Sequence, residues 1–61
     1  MATATIERLV AEERYARERY DLYKARAYGG RPVSGVRLRE LERAAEDAKL
    51  RLRRARAAAR A

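Results

Sequence analysis

All three glycines and the only proline of this 61-residue chain fall within one stretch, Tyr28-Gly29-Gly30-Arg31-Pro32-Val33-Ser34-Gly35. On either side the residues are mainly Ala, Glu, Arg, Leu and Tyr, most of them good helix formers. The chain therefore has one place to turn, and the pattern predicts two helices joined there. Helix 1 is expected over about 4–28. Thr3 or Thr5 can cap its first free N–H groups, and Gly29 is expected as the left-handed residue that ends it. The turn is expected over 29–35 and helix 2 over about 35–59, with Ser34 as its N-cap. The whole of 1–61 reads as a single helical hairpin.

The hydrophobic spacing makes the pairing specific. Ile6, Leu9, Glu13, Ala16, Tyr20, Tyr23 and Ala27 follow one another in steps of 3 and 4. Leu38, Leu41, Ala45, Ala48, Leu52, Ala55 and Ala59 repeat the same steps. Such a heptad seam on each helix is the mark of coiled-coil packing. Folding the chain back at the turn sets Ala27 against Leu38, Tyr23 against Leu41, Tyr20 against Ala45 and Ala16 against Ala48. Glu13 then meets Leu52, Leu9 meets Ala55 and Ile6 meets Ala59, and in every pair the residue numbers add to 64 or 65. Mostly a large side chain faces a small one, which lets the layers interdigitate. The expected fold is all-α, an antiparallel two-helix hairpin.

An Ala-rich seam buries little area, and a chain this short is marginal on its own. Small folds compensate with disulfides, metals or oligomers. With no Cys and no His, the first two routes lose their usual ligands, and association remains. Ala11, Tyr15, Leu22 and Ala25 run along the side of helix 1 away from the seam, and Leu50 points away from it on helix 2. These five are the expected partner surface, consistent with pairing into a four-helix bundle or docking in a larger assembly. The missing His and Cys, and the small room for desolvating a catalytic group, argue against an enzyme, a cofactor, a metal site or a small-molecule substrate. No apolar run approaches the roughly 20 residues that span a bilayer, and the acid and base near the N-terminus do not suit a signal peptide. A cytoplasmic or intravirion location is the expectation.

The formal charge is +7, and its placement is uneven. Residues 49–61 hold Lys49, Arg51, Arg53, Arg54, Arg56 and Arg60 with no acid. The facing start of helix 1 offers Glu7, Glu12 and Glu13, of which Glu12 and Glu13 are expected to pair across the hairpin with Arg51 or Arg56. The leftover Arg forks suit phosphate or carboxylate oxygens. Those six residues are the candidate contact for an anion or nucleic acid. No zinc-finger spacing or base-reading helix unit is present, so such binding is expected to be sequence-tolerant. A membrane is not an expected partner, because the Ala-rich face opposite the Arg residues lacks an aromatic or Leu wedge.

Tyr20-Asp21-Leu22, Ala27-Tyr28-Gly29-Gly30 and Arg37-Leu38-Arg39-Glu40-Leu41-Glu42-Arg43 make the chain resemble, over about a third of its length, the small two-helix protein near the exit tunnel of the large ribosomal subunit. That family's Thr-Gly-Gln turn is absent, and Ala stands here where its second helix has Ile and Val. In length the chain also resembles small phage head–tail joining proteins, but Arg31–Arg37 is too short for the β-hairpin those carry. These likenesses imply a plan and not a function. The functional expectation from the residues is a non-enzymatic interaction or structural protein, acting as an oligomer or in a larger, for instance viral, assembly. The alternative is a nucleic-acid or ribonucleoprotein component using the Arg-rich end of helix 2.

Overall fold

The computed structural model describes the backbone of residues 3–60 and the side chains of 5–60. It is all-helical: α1 runs Thr3–Tyr28 and α2 runs Gly35–Arg60, each of 26 residues. At 1.5 Å per residue each helix is about 39 Å long. The molecule measures 46 × 16 × 12 Å, a rod one helix long and two helices wide. Among the described residues there is no strand.

The turn is fixed by backbone geometry. The Gly29 N–H still makes an ordinary helical bond to the Ala25 carbonyl, at 2.9 Å. The Gly30 N–H then donates to Ala27 O at 3.3 Å and the Arg31 N–H to Arg26 O at 3.1 Å. This pair of bonds is a Schellman motif, whose first residue beyond the helix must be left-handed. That residue is Gly30, with φ +79°. The expectation of Gly29 is corrected by one position, because α-helical bonding persists one residue further than the composition suggests.

On the far side of the turn, the Arg37 N–H donates to Ser34 Oγ at 3.2 Å, and the Leu38 N–H donates to Ser34 O at 3.0 Å. Ser34 is therefore the N-cap of α2. In a capping box, a Glu or Gln three residues later would accept the N–H of the cap itself. Arg37 holds that position and cannot accept. The Ser34 N–H donates instead to the Tyr23 hydroxyl, at 2.7 Å, which ties the turn to α1. At the other end, α1 already includes Thr5, so Thr5 is not its cap; the hydroxyl of Thr3 lies outside the described side chains.

Burial follows the seams. Leu41, Ala48, Leu52 and Ala55 are buried, and all four are on α2. On α1, Ile6, Leu9, Glu13, Ala16, Tyr20 and Tyr23 are half-buried. Only Ala27 and Ala59, at the two ends of the seam, are exposed. Ala48 and Ala55 are the least exposed of the four, at 2% and 5%, and Leu41 and Leu52 follow at 6% and 8%. The long side chains of α1, Tyr20 and Tyr23 among them, stay partly open to water. Thr5, Val10 and Val33 add half-buried contacts beside the seam.

Candidate functional site

Where the start of α1 meets the end of α2, an open groove of about 750 Å³ runs along one side of the hairpin. Its floor is apolar and comes from both helices: Ile6 and Val10 on α1, Leu52 and Ala59 on α2. Its α2 rim is cationic: Lys49, Arg53, Arg56 and Arg60. These four follow steps of 4, 3 and 4, so they form a straight row beside the buried seam. The row is about 16 Å long.

The α1 rim carries Glu13 and Arg17. Arg17 Nη1 lies 3.3 Å from Glu13 Oε1. This replaces the expected pairing of Glu13 with Arg51 or Arg56. A partner one turn along the same helix is already in place, whereas a partner across the groove is not. Among the described residues the other ion pair is Arg37 with Glu40, at 3.8 Å. Neither pair includes the bases between Lys49 and Arg60, and all six are exposed. The six bases span more than one face of α2. Lys49, Arg53, Arg56 and Arg60 converge on the groove. Arg51 and Arg54, at 100° per residue, project from the opposite flank of α2.

The expected partner surface is divided as well. Ala11, Tyr15, Leu22 and Ala25 are exposed along the outside of α1, with Tyr15 63% and Leu22 70% accessible. Leu50, 42% accessible, sits on the outside of α2 with the full width of the hairpin between it and the others. The Arg19 guanidinium lies 5.5 Å from the centre of the Tyr15 ring, and the Lys24 ammonium 5.6 Å from that of Tyr20. Each cation is four residues beyond its ring, and each pair adds about 0.5–1 kcal/mol. Tyr28 and Val36 are also exposed, both near the turn.

Sequence reasoning missed Val10 and Arg17 as groove residues. The signals were present: Val10 widens the apolar stripe beside Leu9, and Arg17 follows Glu13 by four. Chemically, an apolar floor beside a row of cations in no ion pair among the described residues can hold a partner that is apolar and anionic at once. The groove holds one carboxylate, Glu13, engaged by Arg17. Among the described residues no group of His, Cys, Asp or Glu could hold a metal ion, and no helix is long and apolar enough to cross a membrane. No family model matches the chain, and no curated protein or solved structure matches it.

Proposed function

We propose that this chain is a non-enzymatic helical-hairpin interaction protein that works in association, either as an oligomer such as a four-helix bundle or as one component of a larger assembly. The observation that carries the reading is the size of the core. Among the described residues four side chains are buried, two of them Ala, while Tyr15, Leu22, Tyr28, Val36 and Leu50 stand exposed. Chain entropy costs about 1–2 kcal/mol per residue, and so thin a seam offsets little of it. Further burial against another chain supplies the rest. The test is mass in solution by light scattering, over a range of protein concentration, alongside thermal melts. Association predicts a melting point that rises with concentration. A monomeric mass with a concentration-independent melt would overturn self-association.

A second reading rests on a separate observation: six exposed bases between Lys49 and Arg60 have no acid among them and take part in no ion pair among the described residues. Such an end suits the phosphates of nucleic acid, bound without base reading. Affinity would then fall with salt at a slope of about −0.9 per phosphate neutralised on duplex DNA. Changing Arg53, Arg54 and Arg56 to Gln should flatten that slope and leave helicity intact.

A further inference from the structure

We infer that the open-end groove is the docking site for an acidic amphipathic helix of a different protein, which would lie between α1 and α2 and complete a three-helix bundle. This rests on the proposal that the chain works by association, and it names the partner's chemistry.

Three features of the groove select that occupant. First, its apolar floor is wider than a two-helix seam needs. Ile6, Leu52 and Ala59 belong to the seam, but Val10 does not, and it is half-buried at the groove's edge. An apolar face broadened beyond the strict heptad positions is what a helix needs to contact two neighbours at once. Second, Lys49, Arg53, Arg56 and Arg60 occupy the row immediately beside the seam row Ala48, Leu52, Ala55 and Ala59, in the same 4, 3, 4 steps. In helical bundles the positions flanking the seam set partner choice by charge. A row of four cations calls for Glu or Asp at matching spacing on the incoming helix. Third, the alternatives fit less well. A second copy would bring another chain of formal charge +7. Nucleic acid would satisfy the cations but leave the apolar floor uncovered. No aromatic ring lines the groove for a base to stack on, and Tyr15 is on the other side of α1.

The test uses the whole chain and a fluorescein-labelled synthetic peptide of three heptads, with Leu at the seam positions and Glu flanking them. Two comparison peptides have the same composition in permuted order, or Lys in place of Glu, and a labelled duplex DNA is the third probe. Anisotropy should show the amphipathic acidic peptide binding at least about tenfold more tightly than the permuted one, because only the former can cover the floor. Arg53→Glu with Arg56→Glu should lose at least about tenfold for the acidic peptide and gain affinity for the Lys peptide. Both residues are exposed, so circular dichroism should show the parent's helicity. Ala59→Glu, also exposed, should weaken the acidic peptide by blocking the floor with like charge. In isotope-labelled protein, amide shifts should concentrate at Ile6, Val10, Leu52 and Arg56. Equal binding of the ordered and permuted peptides would overturn the proposal in favour of bare charge attraction. Preferential binding of duplex, lost in the double variant, would overturn it in favour of nucleic acid. Shifts confined to Tyr15 and Leu22 would place the contact elsewhere. If no peptide binds but the chain self-associates, the groove assignment fails while the interaction reading stands. Failure of both peptide binding and self-association would remove the two together.

Discussion

Gly29 and Gly30 are neighbours with opposite tolerances. Gly30 has φ +79°, a conformation that costs a residue with a Cβ about 1–2 kcal/mol. Gly29 is in ordinary backbone geometry, and a Cβ there would meet Ala25 O at 3.4 Å and Arg26 O at 3.6 Å, both normal contacts. Gly30→Ala should therefore lower the melting point by several degrees. Gly29→Ala should leave it unchanged or raise it, because it removes freedom from the unfolded chain. Thermal melts of the two variants check this, and equal losses would contradict the turn geometry. Tyr23→Phe removes the acceptor for the Ser34 N–H and should cost about 0.5–1.5 kcal/mol. That hydrogen bond was not legible in the sequence. Tyr23 shows its apolar periodicity plainly, but nothing in a heptad indicates where a hydroxyl will end. The position of the left-handed glycine was hidden for a related reason. With two glycines side by side, only the hydrogen bonds decide which one leaves the helix.

For the helices the seam positions were readable, because the 3,4 spacing puts them on one face of each helix, and all but Ala27 and Ala59 are buried or half-buried. Ala48 is 2% exposed, so Ala48→Glu forces a carboxylate into the interface and should cost more than about 2 kcal/mol. Arg39→Glu, on an exposed position, should stay within about 0.5 kcal/mol. Chemical denaturation of both variants gives the comparison, and equal midpoints would refute the register. Glu13 is the one charged residue in the seam. Its side chain is 18% exposed, and its pair with Arg17 is partly solvated. Surface pairs of this kind contribute about 0–1 kcal/mol, whereas burying a Leu there is worth about 1.5–3 kcal/mol. Glu13→Leu should therefore raise stability, measured by the same denaturation. The positions of the basic residues along α2 and their separation into two flanks were legible at 100° per residue, but which flank lines the groove was not. That choice depends on which flank of α2 faces the side of α1 carrying Val10 and Arg17, and spacing within one helix does not settle it.

At the level of the whole molecule, the proposed association should draw unequally on the outward stripe of α1 and the lone Leu50 of α2. Tyr15→Ala with Leu22→Ala removes two exposed apolar side chains from one face and should lower the oligomer fraction in sedimentation more than Leu50→Ala, which removes one isolated contact. The reverse order would assign the contact surface to α2. The antiparallel nesting of the seam also sets an order of events in time. The hydrogen bond between Ser34 and Tyr23 spans 11 residues, while Ile6 and Ala59, which line the groove together, are brought to one end only after most of the chain has been gathered in. Loop-closure entropy grows with the length enclosed, so folding should advance from the turn outward, like a zip, and each layer shortens the loop that the next must close. Opening runs the other way. Backbone amides beside the floor of the groove should exchange with solvent sooner than those near Leu41, so that the open-end groove is the last part to form and the first to come apart. A helix that settled there would hold the zip shut from its free end and should slow exchange along the length of both helices, not only where it touches.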